Sequence, residues 1–128
     1  MDLDYTVRTD KTYTDALNAV VAATQARGFR VQCVHDVAAT LAEKGFVREP
    51  TAIVEVCNAR YASQVLEQDI RIGLMLPCPI MIYALDSETH IATMRPRLIG
   101  SFFPDAGIDD VAAEVEEIVI AIVDEAAG

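Results

Sequence analysis

CPIMIYAL, residues 78–85, is the stretch that most narrows what this chain can fold into. Its residues favour extended backbone, and it is apolar at nearly every position, so something must cover both faces of the strand it predicts. DSET, residues 86–89, then predicts a hairpin turn, and HIATMR, residues 90–95, an antiparallel partner.

The rest of the chain alternates between strand and helix patterns. DLDYTVR, residues 2–8, sets Leu3, Tyr5 and Val7 on one face, a half-exposed strand. A helix follows, with Thr12 as N-cap, Asp15 three residues on, a stripe of Leu17, Val20, Val21 and Thr24, and Gly28 as its stop. FRVQCVHD alternates again and puts Phe29, Val31, Cys33 and His35 on one side; Cys33, in that inward set, reads as core. Asp36 caps a short helix to about Lys44, closed by Gly45. TAIVEVC, residues 51–57, is a third strand, and Asn58 caps a helix to about Gln68 that buries Ala62, Val65 and Leu66. DIRIGLMLP reads as a loop with one turn around Gly73. Asp109 or Asp110 caps a last helix whose Val111, Val115, Ile118, Val119 and Ile122 follow helical spacing. Ile120 and Val123 widen that stripe beyond what one sheet face needs.

The order β-α-β-α-β-α-β-β-α predicts an α+β fold: a mostly antiparallel sheet with helices packed on it, a two-layer sandwich forming a single domain over residues 1–128. The two-faced fourth strand and the wide last helix leave spare apolar surface, which a homodimer buries.

Charge narrows the partners. Twenty acids against ten bases give a net charge of −10, a field that repels nucleic acid and anionic lipid. No apolar run reaches the roughly 18–20 residues of a membrane span. The opening MDLDYTVRTD carries two acids and no apolar block, unlike a secretory signal, so a cytoplasmic protein with neither membrane nor nucleic-acid partner is expected. Three cysteines without a C-x-x-C give no support to a disulfide scaffold, a thioredoxin-type centre or a ribbon zinc site.

A strand ending in Cys-Asn (VEVCN), a helix with YASQVLE, then IGLMLPCPIMIY together resemble the domain-of-unknown-function family 302. GFRVQCVHDVAATLAEKG resembles that family's strand–Asp–helix segment, so the likeness spans about residues 3–95, with GLMLPC its most specific element. The resemblance implies a small α+β protein, usually a dimer, without an agreed activity, and carries associations with sulfur-oxidising bacteria and with haem binding. Where members continue Cys-Asn with Pro, this chain has Ala59.

Two cysteines stand at element junctions. Cys57 precedes the cap Asn58, where unpaired N–H groups favour thiolate and the nearby Glu55 disfavours it; an inert buried thiol is the competing reading. Cys78 lies between Pro77 and Pro79, a stiff entry that orients it or merely starts the strand. If the third and fourth strands are neighbours, Cys57 and Cys78 lie near one rim of the sheet.

His90 is a candidate metal or axial haem ligand, with Met94 on the same strand face about 13 Å further along at strand rise, too far to share one metal. His35 is a second candidate ligand or a structural histidine. Arg95 and Arg97 form a basic island able to hold an anionic group such as a propionate, or to neutralise local acids. Glu114, Glu117 and Asp124 read as the wet face of the last helix. G-x-G-x-x-G, P-loop and G-x-S-x-G signatures are absent, and no nucleophile–base pair supports hydrolase or transferase chemistry.

The expected function is therefore a non-catalytic homodimeric binding protein holding a small molecule or cofactor, haem the most specific candidate, in an apolar site. A sulfur carrier or redox partner using Cys57 and Cys78 is the alternative, and an interaction module a third.

Overall fold

The chain, whose computed structural model describes residues 2–128, runs β1 (Asp4–Thr9), α1 (Tyr13–Ala26), β2 (Arg30–Asp36), α2 (Val37–Ala42), β3 (Thr51–Cys57) and α3 (Ala59–Gln68). A 3₁₀ helix (Ile70–Met75) leads into β4 (Cys78–Leu85), β5 (Glu88–Met94), α4 (Arg97–Phe102) and α5 (Asp109–Ala127). The strands form one sheet in the order β1-β5-β4-β3-β2, antiparallel at every step. This is the expected α+β fold, with helices packed against an antiparallel sheet.

Local chemistry sets most boundaries. Thr12 Oγ1 accepts from the Asp15 N–H at 3.1 Å, Asp36 Oδ1 from the Ala39 N–H at 2.9 Å, and Asn58 Oδ1 from the N–H groups of Arg60 and Tyr61 at 3.0 and 3.3 Å. Each bond satisfies helix-entry donors that would otherwise stay unpaired. The β4–β5 turn is tighter than DSET suggests: Leu85 already pairs with Glu88, and Asp86 and Ser87 take φ of 53° and 67°, as a two-residue primed turn requires.

Alternate residues of the sheet point into a core under the helices. Val54 and Val56 of β3, Ile80 and Ile82 of β4 and Ile91 of β5 are all fully buried, against Val20 of α1 and Val119, Ile122 and Val123 of α5. Each such side chain contributes about 1.5–3 kcal/mol through burial. The wide apolar stripe of α5 is largely used inside the chain, because the helix packs against α1, α4, β1 and β5 together. Spare apolar surface therefore lies on the other face of the sheet, where Ile53, Met81 and Met94 are only half-buried.

Three expectations are corrected. Neither Asp109 nor Asp110 caps α5; Ile108 holds that position, buried in a small cluster with Val65, Ile72 and Ile99, and both acids sit in the first turn facing the positive end of the helix. The stretch after β5 folds into α4, whose six residues are too few to show helical periodicity. Cys33 is exposed rather than core. Val31 pairs with Val56 and Cys33 with Glu55, so Gln32 is an extra residue, a β-bulge that inverts the alternation of β2. Beyond the bulge Cys33 and His35 share the open face with Glu55, while Val34, opposite the buried Val54, stays 43% exposed at the sheet edge.

Candidate functional site

Val56 of β3 pairs with Cys78 of β4, so the two strands are neighbours and Cys57 and Cys78 stand at the same end of the sheet. Asn58, besides capping α3, donates from Nδ2 to the Gly28 carbonyl at 3.4 Å and ties the helix entry to the turn before β2. Tyr61 leans over this corner. Its hydroxyl donates to Glu114 Oε1 at 2.7 Å, its ring lies 6.1 Å from that of Phe29, and the Arg60 guanidinium stands 5.3 Å from its centroid.

The Tyr61–Glu114 bond ties α3 to α5 beside a cleft of about 50 Å³. Its walls include Phe29, Cys57, Tyr61, Val65, Cys78, Ile99 and Val115, and no charged side chain lines it. Glu114, read from the sequence as solvated, is thus the acceptor that anchors the tyrosine.

Both thiols are free. Burial pushes Cys78 up to about 11, with the neighbouring Cys57 adding to the shift, and burial likewise raises Cys57. The sequence set the helix terminus against Glu55 in deciding the Cys57 thiol. Here Glu55 turns instead to His35, its Oε1 3.0 Å from Nε2, and burial decides. At neutral pH the cleft presents two S–H groups, weak donors on an apolar wall.

The remaining candidates do not converge on it. His90 lies on the open face of the sheet, stacked on Tyr83 with centroids 5.0 Å apart and 15° between planes. Its Nδ1 is buried without a hydrogen-bond partner, and its Nε2 is 3.9 Å from the Glu88 carboxylate. Met94 is at the far end of the same strand, paired with Asp4. Arg95 covers the Tyr5 ring at 5.5 Å and lies 3.7 Å from Glu116 Oε2. Arg97 lies 3.5 Å from the same oxygen, and its backbone N–H donates to Glu116 Oε1 at 3.3 Å. Glu116, buried in α5, thus takes up both arginines.

His35 sits elsewhere, at the β2 edge, with Cys33 and Glu55 beside it. That grouping was hidden in the sequence because strict alternation turns Cys33 and His35 inward; the bulge at Gln32 is what brings them to Glu55.

Among known proteins, a family model described as "Domain of unknown function DUF302" matches residues 5–126, extending the resemblance seen in the sequence through α4 and most of α5. The structure is similar to the crystal structure of an uncharacterized conserved protein DUF302 from Bacillus stearothermophilus. Their TM-score is 0.93 at 27% identity, over 98% of this chain and 99% of that one. No curated protein matches the chain.

Proposed function

The chain belongs to the DUF302 family, and we propose that it is a homodimeric binding protein that takes a small apolar group into the cleft beside Cys57 and Cys78. The observation that carries this reading is the cleft itself: walls from sheet, α3, α4 and α5, no charged side chain, and a tyrosine fixed over the corner by Glu114. Such a site has nothing to activate a substrate and much to exclude water. A ligand-observed NMR screen of small apolar compounds tests it. Saturable binding that is lost in Ala62→Leu and Ala112→Leu, which fill the cleft, supports the reading; no saturable binder to the unaltered protein refutes it.

Pairing of two copies rests on the open sheet face. A depression of about 270 Å³ there is lined by Leu3, Ile53, Pro79, Met81, Ala92 and Met94, together with Asp4 and Thr93. Copies carrying −10 each repel over most of their surface. On this face, however, Asp4 and Arg8 of β1 flank the row Thr6–Ala92–Met81–Ile53 on its two sides. A two-fold axis along that row sets each charge toward its opposite on the second copy.

The haem form of the reading rests on His90 and this open face. The cleft, at about 50 Å³, is far below the roughly 300–1,000 Å³ of ordinary ligand pockets and does not fit a macrocycle. Haemin titration decides it: a Soret band lost in His90→Ala supports haem between the two copies, and a featureless titration of the dimer removes it. The sulfur-carrier alternative needs thiolate at neutral pH, and burial of Cys57 and Cys78 opposes that.

A further inference from the structure

We infer that Cys33, His35 and Glu55 form a surface site for a borderline-soft divalent cation of the Zn²⁺ type. The site is on the open face, separate from the cleft and independent of what the cleft binds.

Backbone geometry makes the grouping. Cys33 and His35 are two residues apart on β2 and share a face, and Glu55 is the register partner of Cys33 on β3. Two hydrogen-bonded strands therefore fix all three Cα positions before any ion arrives. One ligand atom from each residue lies within 4.8 Å of the other two. The His35 Nε2 to Glu55 Oε1 distance is 3.0 Å, and Cys33 Sγ stands 3.9 Å from His35 Nδ1. A tetrahedral zinc ion, with Zn–S of about 2.3 Å and Zn–N of about 2.0 Å, holds neighbouring ligand atoms about 3.5 Å apart. Those two distances run to different ring nitrogens, of which an ion takes one; a single ligand atom from each residue lies within 4.8 Å of the others, and exposed Cys33 and His35 can close the rest by rotamer changes.

The donor set selects the ion. A thiolate, an imidazole and a carboxylate suit zinc and its neighbours, whereas calcium and magnesium want oxygen alone. Thiolate and carboxylate together balance two positive charges, inside a chain whose overall charge already favours cations. Among the described residues no arginine or lysine competes for Glu55: its ion-pair partner is His35, and across β4 its register neighbour is Pro79, without a donor. Three protein ligands leave a fourth position free, the pattern of sites that admit water or an outside donor.

Titration of reduced, tag-free protein with Co²⁺ and then Zn²⁺ tests the site. The expected result is one ion per chain, with a thiolate-to-Co²⁺ charge-transfer band and the intense visible bands of four-coordination, both abolished by added Zn²⁺. Cys33→Ser should remove the charge-transfer band. His35→Ala and Glu55→Gln should each weaken Zn²⁺ binding at least tenfold by calorimetry, while Glu117→Gln, on the exposed side of α5, should not. Circular dichroism confirms that each variant is folded, which the exposure of Cys33 and His35 favours. Co²⁺ binding without a thiolate band, or Zn²⁺ affinity unchanged by Cys33→Ser and His35→Ala, overturns the inference.

Discussion

Alkylation of Cys78 measures how far the cleft excludes water from a thiol. Burial raises this group from an ordinary 9.0 to about 11. At pH 8 its thiolate fraction is then about 100-fold below that of an ordinary cysteine. A more basic thiolate is intrinsically more nucleophilic, and with a Brønsted slope of about 0.4–0.5 the two-unit shift returns roughly tenfold. The net is alkylation about tenfold slower than an open thiol, before any loss of access to a side chain only 9% exposed.

Iodoacetamide labelling of the folded chain from pH 7 to 10, read by peptide mass spectrometry, should find exposed Cys33 first, Cys57 next and Cys78 last. The Cys78 rate should climb about tenfold per pH unit without a plateau below about pH 10. Labelling of Cys78 as fast as Cys33, or a plateau near neutral pH, would refute the argument and revive the sulfur-carrier reading.

The same shift fixes a sign for stability. The folded thiol titrates above the unfolded one, so its contribution is complete below about pH 9 and is lost as pH rises toward 11. Two units correspond to about 3 kcal/mol at most. Urea midpoints should therefore fall between pH 8 and pH 10.5, and less steeply in Cys78→Ala.

Other expectations follow from packing and pairing. Ile80→Ala opens a hole at a fully buried position and should cost about 3–4 kcal/mol. With unfolding entropy near 2.1 cal/mol/K per residue, that lowers Tm by about 12 °C for 128 residues, measurable by scanning calorimetry. Glu116→Ala strands Arg95, Arg97 and the Arg97 N–H, and should cost about 2 kcal/mol. A double-mutant cycle with Arg95→Ala should recover under about 1 kcal/mol, because that contact is long and partly solvated. Met81→Arg places a charge at the centre of the open face, and sedimentation at micromolar concentration should show a dimer converted to monomer. A monomer before substitution would end the pairing argument.

What could be read from the sequence was whatever local chemistry decides. The caps Thr12, Asp36 and Asn58, the alternation of β1 and the extended runs of β3 and β4 each carry their cause within a few residues, and the structure follows them, although helices cover only one face of β4. The failures share a different origin. Ile108 takes the N-cap position of α5 without a side-chain cap bond and packs with Val65, Ile72 and Ile99, a tertiary contact invisible beside two acids that are strong caps elsewhere. For Arg95 and Arg97 the sequence leaves two readings, an anion site or the neutralising of local acids, and only the packing of α5 reveals that Glu116 is the acid they meet. The bulge at Gln32 matters most, since one extra residue inverts the face of everything after it on β2. An edge strand tolerates that inversion because its outer neighbour is water, so the apolar pattern of FRVQCVHD carries no penalty that would reveal it. Inverting the face moves a thiol and an imidazole out of a core where they would be inert fillers and sets them against a carboxylate in solvent. The strongest metal-ligand geometry among the described residues thus arises where periodicity reasoning assigns Cys33 to the core.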